Sequence, residues 1–317
     1  MEVSGKSTQK IVKKGGNKGY TKSAASEIVF RVVAYIFIIA FALICVYPLI
    51  YAFSAAISGG DAYNAGKVVL FPVDIQWNAF LSVIQMKAFW NGYSNTLFVT
   101  LFGTVWCMLI SILGGYALSK RRLAGHKFFN FLLIFTMWFS AGIVPTTLNY
   151  WSTRDLFLSM GIADQKWVIV IAMGVAAFNI ILLRNAFEAV PKEIEEAATV
   201  DGANDFQIMS KIYVPMSKAT VATVALFYGI SRWNGYYWAQ QVVTDSLDWP
   251  LQVVIQRQIS AAADEAAEFG ITLIDGIYSP DAASFAMIIA AIIPIIIIYP
   301  FIQKYFAAGV NVGGVKE

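Results

Sequence analysis

Charge, cysteine and histidine are all scarce in this sequence. Charged residues make up 14% of its 317 residues, whereas soluble domains average about 25%. The chain has two cysteines and one histidine, and a structural zinc site alone needs about four such ligands. It also lacks HExxH and CxxC motifs and any nucleophile placed beside a base. The sequence therefore predicts no catalytic residue, no metal site and no cofactor bound by this chain, and it argues against a soluble enzyme.

Long apolar runs take the place of the missing charge. Hydrophobic residues make up 58% of the chain, and a helix that crosses a bilayer needs roughly 20 mostly apolar residues. Six windows reach that length with few charges, near 29–57, 93–119, 128–150, 167–187, 212–239 and 282–304. Cys45 and Cys107 both lie inside these windows, which argues against a disulfide framework. The pattern predicts an all-α membrane protein with six transmembrane helices.

Basic residues predict the orientation, because short basic segments are retained in the cytoplasm. Residues 1–27 are rich in lysine and are expected to form a disordered basic tail. The loop SKRRLAGHK, 119–127, is also basic, whereas 240–281 has Arg257 as its one cation among acidic residues. We therefore expect cytoplasmic N and C termini, a membrane domain over 28–317 and an external loop over 240–281.

The stretch EEAATVDGANDF, 195–206, interrupts the apolar chain with small and acidic residues. Pro191 suits the first turn of a helix, and acidic residues are favoured near a helix N-terminus. Gly202 permits the left-handed conformation that ends a helix, and Asn204 or Asp205 can cap a second one. One face of the first helix would carry Ile194, Ala197, Ala198 and Asp201. The segment 190–211 is therefore predicted to form two short cytoplasmic helices, which either enter a groove on another protein or lie on the membrane surface.

The spacing in this segment resembles the EAA loop of binding-protein-dependent ABC importer permeases. Glu196-Ala197-Ala198 is followed after three residues by Gly202 and after nine more by Ile212, and Val214-Pro215 comes one residue later. Val214 replaces the usual leucine, and Ala219 stands where many sugar permeases have a second proline. Neither departure removes the glycine or the small-residue face.

Flanking stretches resemble the carbohydrate branch of that family. They are LLRNAFEAVPKEIEEAA at 182–198, RWNGYYWA at 232–239, DWPLQVVIQRQI at 248–259 and QKYFAAGVNVGGVKE at 303–317. The last two resemble the group of MalG-like permeases typified by LplC and YtcP. The resemblance extends from about residue 28 to the C-terminus.

The resemblance implies the type I ABC importer permease fold in a bacterial cytoplasmic membrane. It also implies a second permease subunit of different sequence, two ATPase subunits or domains that bind ATP and Mg, and an extracytoplasmic solute-binding protein; no nucleic acid is expected. The ATPase-coupling residues would be Glu196, Ala197, Ala198, Asp201, Gly202, Ile212 and Pro215. The chain would import an oligosaccharide by alternating access. A peptide importer and a gradient-driven secondary transporter are the alternatives, although the sequence shows neither the broken helices nor the central carboxylate of the latter.

A substrate pathway is predicted at the outer half of the fifth window. Trp233, Asn234 and Tyr237 combine flat aromatic faces for sugar rings with an amide for hydroxyl groups. Aromatic residues at this depth also form lipid-interface belts, so both roles stay open. Arg232 either snorkels to lipid headgroups or attracts the carboxylates of an acidic, uronate-containing oligosaccharide.

Overall fold

The computed structural model describes residues 25–139, 142–162, 165–260 and 280–310. The described residues divide into two compact units between Ile50 and Tyr51. Throughout the described ranges the regular elements are helices, and no strand occurs there. The all-α prediction is confirmed for this part of the chain.

The first unit contains most of the helix Ala25–Ala56 (α1). Glu27 lies in its first turn and forms an ion pair of 2.5 Å with Arg31, one turn later. Pro48 lies inside the helix, as transmembrane helices tolerate. By length and composition Glu27–Ala56 can cross a membrane, in agreement with the first window.

The second unit contains the end of α1 and a series of helices joined by short loops. These helices are Gly60–Asn64 (α2), Asn78–Gln85 (α3), Lys87–Ser119 (α4), His126–Trp138 (α5), Ile143–Ser159 (α6), Lys166–Ala172 (α7), Ala177–Glu188 (α8), Lys192–Val200 (α9), Asp205–Ile208 (α10), Val214–Met216 (α11), Lys218–Trp233 (α12), Tyr236–Val242 (α13), Leu251–Ser260 (α14) and Pro280–Val310 (α15). A π-helix, Met209–Tyr213, connects α10 to α11.

Glycines on α4 allow its neighbours to approach closely. A Cβ atom at Gly115 would lie 3.0 Å from the Cβ of Leu183 on α8, and one at Gly103 would lie 3.1 Å from the Cδ of Arg232 on α12. Larger residues at these positions would push the helices apart, as expected for small residues at membrane helix interfaces. α4 therefore packs directly against α7, α8, α12 and α14.

The third and fourth windows are not continuous helices. Within the third window α5 ends at Trp138 and α6 begins at Ile143, and their caps Phe139 and Gly142 are not helical. α7 and α8 cover the fourth and meet at a bend of 53°. Gly174 has a φ of +62° in this break, a conformation that glycine adopts at little cost. The prediction of unbroken spans was therefore wrong here, because hydropathy does not report whether the backbone is continuous.

The fifth window is also divided. The π-helix and α11 precede α12, which ends at Trp233, and the aromatic residues that follow belong to α13. The window 212–239 is therefore not one continuous helix.

In the described ranges three helices are long and apolar enough to cross a membrane, namely Glu27–Ala56, Lys87–Ser119 and Asp281–Pro300. The total rises to five if each bent pair is one span. α12 has only 16 residues. Six membrane crossings and two cytoplasmic termini stay predictions.

The segment predicted as an external loop contains a buried helix. Leu251, Val253 and Val254 of α14 are inaccessible or nearly so. Thr96 Oγ1 on α4 accepts a 2.7 Å hydrogen bond from the backbone N–H of Leu251, and Asn95 Nδ2 donates to the carbonyl of Leu247 at 2.7 Å. The loop prediction therefore missed a packed element, and 261–279 lie outside the described residues.

Candidate functional site

Residues 190–211 fold into the two short helices that the sequence predicts. α9 ends at Val200 with Asp201 as its C-cap, and Gly202 follows with a φ of +82°. Asn204 begins α10 with a capping box, in which its side chain and that of Gln207 each accept a bond from the other's backbone N–H. Both helices are thus bounded by strong local signals.

One side of this helix pair is exposed. Glu196, Ala197, Asp201 and Gly202 lie on it. Val200 on α9 and Phe206 on α10 are also exposed, with 88% and 68% of their surface accessible, and neither is among the residues predicted from the sequence. Two large apolar side chains among polar residues were the available signal, because an exposed apolar patch commonly marks an interaction surface. We call these six residues the coupling surface.

The remaining motif residues support this surface from behind. Ala198 and Ile212 pack against a buried cluster that includes Leu183, Phe187 and Tyr213. Pro215 is exposed and lies in α11. Some motif residues, such as Glu196 and Gly202, are therefore exposed, whereas Ala198 and Ile212 attach the segment to the buried cluster.

Arg232 is buried, with 5% of its surface accessible. Its guanidinium donates to the carbonyl of Ile169 and to that of Gly174, both at 3.1 Å, and to Cys107 Sγ at 2.8 Å. The Cys107 thiol also donates to the Gly174 carbonyl at 2.9 Å. Arg232 therefore stabilises the break between α7 and α8. This geometry differs from snorkelling, because the guanidinium points to backbone groups within the protein.

Trp233 lines an apolar cavity of about 410 Å³ between α4, α12 and α15. Its indole N–H is buried and has no acceptor among the described residues. The ring packs edge-on against Tyr93, with centroids 6.0 Å apart. Trp233 therefore lies among packed helices, and its indole N–H stays available to donate a hydrogen bond.

Asn234 and Tyr237 lie beyond the end of α12. Asn234 is exposed at the C-terminus of that helix, and Tyr237 is partly exposed on α13. Tyr237 packs edge-on against Trp238, with centroids 4.9 Å apart, and Trp238 stacks on Tyr150 at 5.0 Å. The end of α12 at Trp233 therefore divides the four predicted pathway residues into a buried pair, Arg232 and Trp233, and an exposed pair, Asn234 and Tyr237.

The described residues contain no group of histidine, cysteine, aspartate and glutamate side chains that could hold a metal ion. His126 begins α5 beside the basic loop. The candidate site is therefore a surface and a helix interface.

The chain matches the family model described as "Binding-protein-dependent transport system inner membrane component" over residues 17–312. It is 35% identical over 291 residues to the polygalacturonan/rhamnogalacturonan transport system permease protein YtcP of Bacillus subtilis, covering 90% of this chain and 98% of the relative. It is 31% identical to protein LplC of the same species, covering 91% and 95% of the two chains.

A solved structure is similar over almost the same extent. It is the crystal structure of a bacterial ABC transporter involved in the import of the acidic polysaccharide alginate. One of its chains shares 42% identity and a TM-score of 0.80 with this chain, covering 90% of this chain and 100% of the other.

Proposed function

Because the chain belongs to the family of binding-protein-dependent transport system inner membrane components, and is a carbohydrate ABC importer permease, we propose that it imports an acidic oligosaccharide. The observation that carries this proposal is the 42% identity and TM-score of 0.80 with a chain of an alginate importer. The similarity to a polygalacturonan/rhamnogalacturonan permease favours the same class of substrate, because uronate residues carry carboxylates at neutral pH.

The electrostatics of Arg232 support this substrate class. No acidic side chain among the described residues pairs with its guanidinium, whose acceptors are two carbonyls and a thiol. A buried cation without a counter-charge produces a positive potential over several ångströms, since the surroundings screen it weakly. Arg232 would thus attract a carboxylate-bearing sugar, while Trp233, Asn234 and Tyr237 would contact its rings and hydroxyl groups.

Transport would proceed by alternating access in a bacterial cytoplasmic membrane. The chain would pair with a second permease, and two partner ATPases would bind ATP and Mg. Closure of the ATPases would move the coupling surface, Glu196, Ala197, Val200, Asp201, Gly202 and Phe206. The membrane cavity would then open towards a solute-binding protein that delivers the sugar.

The test is a transport assay with the complete assembly in proteoliposomes. Uronate oligosaccharides are compared with the same oligosaccharides after reduction of their carboxyl groups, so that length and linkage are matched. We expect the acidic set, with its binding protein, to stimulate ATP hydrolysis and uptake, and the reduced set to do so weakly.

Equal stimulation by both sets would agree with ATP-driven sugar import but would overturn the proposal that the substrate is acidic. Uptake of peptides alone would overturn the sugar proposal. Uptake that stops when an ionophore dissipates the ion gradient, while ATP is present, would overturn the ATP-driven mechanism.

A further inference from the structure

The loop between α4 and α5 contacts the coupling helices through two ion pairs. Lys120, the residue after α4, places its Nζ 2.8 Å from Glu195 Oε2 on α9. Arg122 pairs with Asp205 in the first turn of α10. The basic loop, which the sequence analysis used only for orientation, therefore contacts both helices of the coupling element.

The two pairs differ in burial. The side chains of Lys120 and Glu195 are 10% and 20% accessible, whereas those of Arg122 and Asp205 are 61% and 64% accessible. An exposed pair is screened by water and salt and contributes little, but a largely buried one resists separation because each charge would lose its partner. The pair of Lys120 and Glu195 is therefore the one that resists separation of the loop from α9.

Tyr213, at the end of the π-helix, is the third member of this contact. Its hydroxyl donates to the same Glu195 Oε2 at 2.6 Å, and the Lys120 Nζ lies 3.7 Å from its ring centroid. The Nζ also lies 4.4 Å from the ring centroid of Tyr116 on α4. Lys120 is thus enclosed by one carboxylate and two aromatic faces, a favourable arrangement for a cation.

The protonation states agree with a charged pair. Burial raises the pKa of the Glu195 carboxyl, but the hydrogen bonds from Lys120 and Tyr213 outweigh it and leave the pKa below its ordinary value. Burial lowers the pKa of Lys120, partly offset by Glu195. Two donors, Lys120 Nζ and the Tyr213 hydroxyl, therefore meet one oxygen atom of Glu195 and favour its charged form.

We propose that Lys120 is a positioning residue that transmits movement of the coupling helices to α4, an inference that rests on the proposed importer function. The contact joins α9, the π-helix and the C-terminal end of α4. α4 in turn packs on α8 and α12 and places Cys107 against Arg232. A displacement of Glu195 must therefore carry Lys120 with it or separate a largely buried ion pair.

The experiment compares Lys120→Met with Lys120→Arg and with Arg121→Met in the complete assembly. Arg121 is the exposed cation beside Lys120, so its loss removes the same charge from the loop without this contact. The readout is the number of substrate molecules imported per ATP hydrolysed. We expect Lys120→Met to lower this ratio about tenfold, within the usual range of coupling energies, while the other two variants stay close to wild type.

Two further variants distinguish a loss of coupling from a loss of the folded protein. Glu195→Gln keeps an acceptor for Tyr213 but removes the negative charge, and it should lower the same ratio while co-purification with the ATPase persists. Exchange of the charges, Lys120→Glu with Glu195→Lys, should restore part of the lost ratio.

An unchanged ratio in Lys120→Met and Glu195→Gln would overturn the role of Lys120. A loss of ATPase co-purification in both would make the contact structural and would equally overturn it. If the wild-type assembly itself shows no sugar-stimulated hydrolysis, the proposed function fails first, and these variants are then irrelevant to that failure.

Discussion

Arg232 shows how one buried cation can bind the backbone carbonyls that a break in a helix leaves without partners. A helix that stops within a bilayer leaves backbone carbonyls without partners, and each costs several kcal/mol in hydrocarbon unless another group binds it. Arg232 supplies donors to two such carbonyls around the break between α7 and α8. Gly103 leaves room for the arginine stem, because any Cβ there would lie 3.1 Å from it. The same residue thus has a structural contact and an uncompensated charge.

Substitution of Arg232 should separate these two contributions. Arg232→Met removes the donors and the charge, and we expect it to destabilise the purified assembly by about 1–3 kcal/mol, as for unsatisfied buried acceptors, and to weaken uptake of acidic sugar. Arg232→Lys keeps the charge but loses the fork of donors, so stability should fall while the preference for acidic over carboxyl-reduced sugar persists. Thermal unfolding and competition uptake measure the two effects.

The exposed cation Arg257 provides the matched control, Arg257→Met. If this variant altered the sugar preference as strongly as Arg232→Met, a general surface charge would explain the preference. If Arg232→Met left both stability and preference intact, the burial of Arg232 would have no consequence in the membrane.

Glu195 allows a prediction about pH. Its folded-state pKa is lowered, so its ion pair contributes stability above the ordinary carboxyl pKa of 4.5 and loses it as the pH falls through the folded value. Wild type should exceed Glu195→Gln in unfolding free energy by about 1–3 kcal/mol at neutral pH, between the values for exposed and buried pairs. Unfolding measured from about pH 8 down to pH 3.5 should show a constant difference above roughly pH 5 and a narrowing one below it. A difference that grows as the pH falls would contradict this assignment.

At the scale of whole elements, the sequence predicted the coupling helices better than the membrane spans. Gly202 and Asn204 are local signals whose chemistry defines helix ends, and the structure follows them. The breaks at Gly174 and Gly235 have no comparable signal. The first break is bound by side chains distant in sequence, because Arg232 donates to the Gly174 carbonyl and Tyr228 accepts from the Ala176 backbone N–H. Hydropathy located the apolar windows, but only tertiary contacts determine where the helices are interrupted.

The packing of α4 against α8 yields a prediction from two adjacent glycines. A Cβ at Gly115 would lie 3.0 Å from the Leu183 Cβ and 3.2 Å from the backbone nitrogen of Arg184. At Gly114 the nearest contact would be an ordinary 3.6 Å to Ile180 Cγ2. Gly115→Ala should therefore destabilise the protein by about 1–3 kcal/mol through overpacking, whereas Gly114→Ala should cost less than about 1 kcal/mol.

Thermal unfolding of the two variants in the same detergent or lipid makes this comparison directly. Both substitutions add one methyl group to neighbouring positions of one helix, so helix propensity and hydrophobicity are matched. Equal stability of the two variants would show that α4 and α8 separate easily, against the close contact at Gly115.

At the scale of the whole molecule, the two predicted sites differ in how far one chain can define them. The coupling surface is formed by two helices and a cap within 190–211, and the buried cluster that supports it, which includes Leu183 and Phe187, belongs to the same chain. The predicted substrate pathway is divided by the break that follows Trp233, and in the proposed assembly a second permease would complete it. The sequence could therefore suggest Trp233 and Asn234 by residue type, but it could not predict which of them faces a sugar.

The predicted orientation of the chain in the membrane can be tested at two exposed residues. Leu247 precedes α14 and Val200 ends α9, with 65% and 88% of their surfaces accessible. The basic loop at 119–127 and the acidic segment from 240 onward predict that they lie on opposite sides of the membrane. Cys45 is replaced by serine, whereas Cys107 is fully buried and can stay. In intact spheroplasts a membrane-impermeant maleimide should label Leu247→Cys but not Val200→Cys, and permeabilisation should make Val200→Cys accessible to the label.

Co-expression of the partner ATPase should then protect Val200→Cys from labelling, because the coupling surface would be occupied. Labelling of both variants from outside would contradict the predicted cytoplasmic position of the coupling helices. If the ATPase did not reduce the labelling of Val200→Cys, the coupling surface would not be the docking site.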